Sequence, residues 1–185
     1  MSPTVRIAPA TPPYDARAAE DLAALMPPGI EPIGLFRTLA KNPRVLRRVR
    51  RGGLLDPGSI TLRQREIVIL RTTARAGAEY EWGVHAAFFG AAAELDHEQL
   101  HATVWLGPEA ACWRADESLL VRACDELHET ARVADETWSA LRGSFGEDQL
   151  IEVLVLAGLY RAISYVVNGT GVALEELAPR FPAER

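Results

Sequence analysis

The stretch from Glu66 to His85 reads EIVILRTTARAGAEYEWGVH and constrains the fold more than any other part of the chain. Ile67, Val68, Ile69 and Leu70 make its first half apolar on most sides, so that half must be enclosed by other elements. Gly77 then interrupts it. A second helical stretch opens at Glu79, and two helices separated by so short a break are expected to fold back on one another as an antiparallel hairpin. Glu66 is the exception within the first helix, because a carboxylate among aliphatic side chains is costly unless something pairs with it. On the second helix Ala78, Glu81 and His85 share one face, with Trp82 and Phe89 beside it. His85 is the expected partner of Glu66.

The remaining chain supplies helices to enclose this hairpin. Thr61 and Gln64 form a capping-box pattern, and the helix they open is predicted to run to about Arg75. The second helix is predicted from Glu79 to about Ala92, and Asp96 with Gln99 caps a third that ends before Gly107 and Pro108. Leu119, Leu120, Ala123, Cys124 and Leu127 recur at helical spacing within a helix from Asp116 to Thr130, and Trp138, Leu141 and Phe145 mark a shorter one. After Gly146 the last long helix runs from about Glu147 to Val167, followed by a piece from Gly171 that fades at Pro179. Upstream of the hairpin, Pro3, Pro9, Pro12 and Pro13 make residues 1–13 an extended arm lying on the body or on a neighbouring subunit. A helix from Asp15 to Met26 is stopped by Pro27, Pro28 and Gly29, and short helices follow over Ile33 to Lys41 and Pro43 to Arg51. No stretch sustains the alternation of a strand, so the fold class is all-α.

At 185 residues the chain is expected to be a single domain: arm 1–13, N-terminal helices 14–52, helical core 53–178 and tail 179–185. The segments LRQREIVILRTTARA and EDQLIEVLVLAGLYRA echo each other, with Glu66 answered by Glu152 and His85 by Asn168. The echo fits a duplicated helical hairpin, and it fits a chance similarity of two buried helices equally well.

A net charge of -5 excludes nucleic acid as the expected partner, since phosphate binding needs clustered cations. Arg44, Arg47, Arg48, Arg50 and Arg51 do cluster, but at the spacing of a solvated helix face. The two cysteines, Cys112 and Cys124, make neither a disulfide framework nor a zinc pattern, and the expected compartment is cytoplasmic. The opening MSPTVRIAPATPP lacks the pattern of a signal peptide. No membrane span is expected: the most apolar run, Leu150 to Val167, is interrupted by Glu152 and Arg161 and bounded by Asn168, and reads as a buried helix. His97 and His101, with Glu94 and Glu98 nearby, are expected on a solvated face, and His128 in an acidic surround is expected to be exposed.

A helix with a buried Glu followed by one opening E-Y-E-W-x-x-H resembles the carboxymuconolactone decarboxylase superfamily, which includes the alkylhydroperoxidase D proteins, over roughly residues 35–175. The resemblance implies an alkylhydroperoxidase D-like orthogonal helical bundle assembled as a homo-oligomer, a trimer or hexamer. The peroxidase branch carries Cys-x-x-Cys-x-x-x-His on the second helix, and matching on His85 places those cysteines at Ala78 and Glu81. Both thiols are gone. A dithiol mechanism needs a thiolate and a partner one helical turn away, and Cys112 and Cys124 are not so spaced.

What survives is an acid/base set, and the decarboxylase branch resembles this chain in keeping carboxylate and histidine without the dithiol. That branch works on a lactone acid without metal or organic cofactor, so none is expected here. The expected function is decarboxylation or isomerisation of a small organic acid or lactone. His85 would deliver a proton, Glu66 or Glu81 would orient and charge it, Tyr80 would donate to a carbonyl or carboxylate, and Trp82 would wall the site. Three other readings stand beside it: a peroxidase-like protein using thiols outside the usual motif, a non-catalytic assembly or ligand-binding protein, and a metal held by Glu66, Glu81 and His85.

Overall fold

The computed structural model describes residues 4–27 and 29–184, and every regular element among them is helical. Pro3 in the arm and Pro28 in the predicted helix stop lie outside the described residues. The elements are α1 (Ala16–Leu25), α2 (Gly34–Leu39), α3 (Pro43–Arg51), α4 (Leu62–Arg75), α5 (Glu79–Phe89), α6 (His97–Val104), a short 3-10 turn (Gly107–Glu109), α7 (Ala115–Thr130), α8 (Asp135–Ser144) and α9 (Glu147–Thr170). The capping signals are used as read: Thr61 and Gln64 exchange side-chain and backbone hydrogen bonds at the start of α4, as do Asp96 and Gln99 at α6. Two ends differ. α5 stops at Phe89 rather than Ala92 because the chain turns through Glu94, at φ 55°, to aim Asp96 at α6. α9 runs on to Thr170, past Val167, because Gly171 at φ 66° supplies the left-handed residue that closes a helix.

α4 is the axis of the molecule. Residues 65–73 are all buried, enclosed by α5, α6, α7 and α9. Its aliphatic side chains join Leu120, Val121, Leu141, Leu150, Val153 and Leu156 in the larger apolar core. Two ion pairs fix the rotation of α4 against α7. Arg71 binds Asp125 through two parallel bonds of 2.6 and 2.7 Å, and Arg63 reaches Glu117 at 2.6 Å. A second core gathers Ala18, Leu22, Leu35 and Leu46 of the N-terminal helices against Val84 of α5 and Ile163, Val167 and Val172. The chain turns at Gly77 with φ 63°, and α5 then joins the two cores, with Trp82 in the larger and Tyr80 and Val84 in the second.

The arginine cluster of α3 is not simply solvated, as its spacing suggested. Arg47 and Arg50 clasp Asp21, a fully buried carboxyl on α1, at 3.1 and 2.7 Å and so bind α1 to α3. His101 is likewise buried rather than exposed, with no partner for its Nε2 among the described residues, and His128 is half-buried beside Arg161. The arm lies on the body, where Arg6 and Ile7 donate to the Thr170 carbonyl and Ala10 to that of Arg37. The C-terminal tail is also packed down. Phe181 meets Trp82 edge-on at 5.4 Å, and the Pro179 carbonyl lies so close over Gly83 that a side chain there would collide with it. Glu152 anchors the loop before α4 through Ser59 and Asn168 donates to the Ala76 carbonyl, so the echoed positions brace the hairpin and build no second copy of its polar site. Among the described residues α9 is long and apolar enough to cross a bilayer, with a mean hydropathy of 1.8 over an 18-residue window of which 44% is buried. In this fold it packs on α4, α5 and α8.

Candidate functional site

The antiparallel return of α5 along α4 brings Glu66 to His85. Glu66 Oε2 lies 2.7 Å from His85 Nδ1, and its other oxygen accepts from Arg65 Nε at 2.9 Å. The chain of polar groups continues outward, with His85 Nε2 3.6 Å from Glu81 Oε1 one helical turn back, long for a direct hydrogen bond. All three side chains are buried, Glu66 completely. Burial alone would push the His85 imidazole down, but the hydrogen bonds and charges of Glu66 and Glu81 overcome it and hold its pKa at about 9. At neutral pH His85 is therefore an imidazolium between two carboxyl groups.

Glu81 and His85 open into a cavity of about 700 Å³, within the size range of small-molecule sites. Its buried end is formed by Glu81, Val84, His85, Leu35, Tyr160 and Ile163. Its mouth lies among Ala24 to Pro27 at the end of α1, Arg51 at the end of α3, and Gly53 to Asp56. Most of the wall is aliphatic or aromatic. One polar atom stands out: Glu81 Oε2 is buried and has no hydrogen-bond partner among the described residues. An acceptor in that state costs about 1–3 kcal/mol, a cost that a bound molecule with a donor hydrogen would remove.

The structure brings together Glu66, Glu81 and His85, the three residues expected to be catalytic, but Glu66 stands behind His85 and off the cavity wall. Tyr80 and Trp82 are directed elsewhere. The Tyr80 hydroxyl accepts from Leu35 N at 2.9 Å and donates to Glu175 at 2.7 Å, a clamp between the C-terminal segment and α2, and burial with the nearby Glu175 raises its pKa well above the usual value. Trp82 donates to Thr103 Oγ1 at 2.9 Å and packs on Phe181. Neither lines the cavity.

Sequence reasoning missed two contributors. Arg65, adjacent to Glu66 in LRQREI, donates to Glu66 and to the Leu55 carbonyl and stacks over Phe89 at 5.3 Å, tying the mouth loop to the buried pair. Tyr160 of α9 meets the His85 ring edge-on at 4.9 Å and lines the cavity, and its hydroxyl has no hydrogen bond to the protein among the described residues. Burial, with the charges of Glu81 and Glu66, pushes that hydroxyl well above its ordinary pKa, so it stays a neutral donor. The signal in the sequence was its register: Leu156, Tyr160, Ile163 and Val167 mark one buried face, with a hydroxyl in an otherwise aliphatic row.

No cluster of three or more His, Cys, Asp or Glu side chains arranged to hold a metal ion occurs among the described residues. The position of the first motif cysteine, Ala78, is fully buried and precedes α5. Cys112 and Cys124 are absent from the cavity wall, and burial pushes the Cys124 thiol up to about 12, far from a reactive thiolate. Replacing both cysteines by serine is expected to leave turnover within a few fold of the unaltered protein, with and without peroxide. Turnover abolished by either change would make the thiols the reactive groups.

No family model matches the chain, and no curated protein matches its sequence. Solved structures do match its fold. A peroxidase-related protein from Ralstonia eutropha JMP134, described as an alkylhydroperoxidase AhpD core, superposes with a TM-score of 0.79 at 14% identity over 92% of this chain and 93% of that one. An uncharacterised peroxidase-related protein from Silicibacter sp. TM1040 gives 0.80 at 13% identity over 95% and 94%. A cysteine-to-alanine variant of the debrominase Bmp8, in complex with 2,3,4-tribromopyrrole, gives 0.78 at 12% identity over 96% and 95%. The chain has the alkylhydroperoxidase D-like helical fold, as the resemblance read from Glu66 and the E-Y-E-W-x-x-H stretch implied.

Proposed function

We propose that this alkylhydroperoxidase D-like chain is a cofactor-independent acid/base enzyme acting on a small carbonyl compound, a lactone or organic acid, by isomerisation or decarboxylation. The observation that carries the reading is the Glu81 carboxyl on the wall of an apolar cavity, one of its oxygens without a hydrogen-bond partner among the described residues, beside a protonated His85. In the isomerisation, Glu81 takes a proton from the carbon next to a carbonyl. The C–H electrons form a new carbon–carbon double bond and the carbonyl π electrons move to oxygen. Tyr160 O–H and His85 Nε2–H stabilise that oxygen as it gains charge, and Glu81 returns the proton to a carbon further along the conjugated system. In a decarboxylation the same donors would hold the enolate left by carbon dioxide, and His85 would supply the proton. Glu66 keeps the imidazole charged and aimed, acting as a positioning residue.

Incubating the protein in deuterated water with a panel of enol lactones and cyclic enones tests this, with mass spectrometry following exchange at carbon. Protein-dependent exchange that Glu81→Gln removes is expected. Exchange equal with and without the protein across the whole panel would favour a binding role for the cavity.

Assembly between copies belongs to the same reading. Ile151, Val155, Gly158, Ala162 and Tyr165 are exposed on α9 at alternating spacings of four and three, the pattern of a helix-pairing seam, with Ile151 at 63% and Tyr165 at 64% exposure. In an antiparallel pair the bulky first half of one seam would meet Gly158 and Ala162 of the other. Changing Ile151 and Val155 together to Glu is expected to shift the sedimentation coefficient toward the monomer. An unaltered profile would place the contact elsewhere.

A further inference from the structure

The charges around the cavity limit what it can accept. Behind the buried end Arg65 is paired with Glu66, and on its wall His85 lies between Glu66 and Glu81, so the group as a whole holds two cations and two carboxyl groups and no surplus of either sign. Arg50, on the wall, is engaged by Asp21. The other arginine on the wall, Arg51, is at the exposed mouth. An anionic head at the buried end would place a second negative charge against Glu81, and the cation among the described wall residues there, the His85 imidazolium, already lies between Glu66 and Glu81, so a full negative charge is disfavoured in a desolvated site. A cationic head would meet the His85 imidazolium, whose Nε2 is 3.6 Å from the carboxyl it would seek.

The remaining valences are specific. The Glu81 carboxyl on the wall has an unpartnered oxygen and can accept a hydrogen bond, the Tyr160 hydroxyl can give one, and Leu35, Val84, Phe88, Phe89 and Ile163 offer only apolar contact. We infer that the cavity takes an uncharged, largely apolar ring compound that presents one donor hydrogen to Glu81 and one acceptor oxygen toward Tyr160, and that it rejects the carboxylate of the same skeleton. This rests on the acid/base reading of the site and narrows it. Decarboxylation requires a bound carboxylate, so the charge balance selects proton transposition on a neutral lactone or enone, whose acidic C–H beside the carbonyl is the hydrogen presented to Glu81.

The test is calorimetric or ligand-observed NMR binding to the full chain at neutral pH, using three probes of one shape: 4-ethylphenol, 4-ethylbenzoate and 4-ethylbenzylammonium. The phenol is expected to bind at least about tenfold more tightly than either ion. Glu81→Gln is expected to weaken the phenol several-fold and to narrow its advantage over the benzoate. Benzoate or ammonium binding as tight as the phenol overturns the inference, as does phenol affinity indifferent to Glu81→Gln, or no phenol binding at millimolar concentration. Failure of the acid/base reading looks different. Phenol selectivity without carbon-bound exchange on any substrate would leave the ligand class standing and remove the chemistry, whereas exchange confined to carboxylate substrates would keep the chemistry and overturn the ligand class.

Discussion

Glu81→Gln is expected to lower protein-dependent carbon–hydrogen exchange by about 10²- to 10⁴-fold, the usual contribution of a positioned general base. The substitution is close to isosteric, and one of the two Glu81 oxygens has no protein partner to lose among the described residues. Its other oxygen makes only a 3.6 Å contact with His85, so the fold should persist with its melting temperature little changed. The pairing of a large activity loss with near-native stability is what separates a base from a structural carboxyl. Exchange within a few fold of the unaltered protein would remove Glu81 from the chemistry and leave the cavity without a base.

Glu66 should behave in the opposite way, with its main effect on stability. Glu66→Ala leaves Arg65 and His85 as buried cations that have lost their shared partner, which costs about 3–5 kcal/mol in comparable pairs and is a large fraction of a domain's total stability. Arg65 keeps the Leu55 carbonyl and His85 keeps Glu81, so the lower end of that range is the better expectation. The pH dependence of the unaltered protein carries the same signature. His85 is raised from 6.5 to about 9 on folding, so its stabilisation is complete below about pH 6.5 and is lost as pH rises through 9. At about 1.4 kcal/mol per pH unit, the loss over that window is about 3 kcal/mol. Urea unfolding at several pH values between 6 and 10 should show this decline, flattened in Glu66→Gln, whose His85 should titrate lower by NMR. Equal slopes in the two proteins would mean that Glu66 does not control the charge of His85.

The hairpin and its two-residue ion pair were legible because they rest on local rules. Glu66 lay in a run of aliphatic residues that had to be enclosed, and Glu81 and His85 lay one turn apart on a helix whose start and register were plain. The capping pairs Thr61 with Gln64 and Asp96 with Gln99 placed two helix starts for the same reason. What could not be read depended on which distant element covers which face. Tyr80 and Trp82 flank Glu81 in sequence, yet a helix turns about 100° per residue, so neighbours of a site residue point away from the site. They are claimed by Glu175, Thr103 and Phe181 from other parts of the chain. The register of α9 marks Tyr160 as buried, but which element it faces, like the place of the mouth residues of α1 and α3, is set by tertiary packing that no periodicity announces. The arginines of α3 misled for a related reason: the spacing of a solvated face also suits a clasp around one buried carboxyl, Asp21.

The second core joins opposite ends of the chain, and synthesis reads those ends at different times. Leu22, Leu35 and Leu46 leave the ribosome well before Ile163, Val167 and Val172, which pack against them. At the usual rate of elongation the interval is on the order of ten seconds. For that interval the first three helices are too short to hold themselves together, and their apolar faces are open to any passing hydrophobic surface. The cavity, whose wall includes Leu159, Tyr160 and Ile163, is therefore absent from the nascent chain until α9 has been made and has packed down.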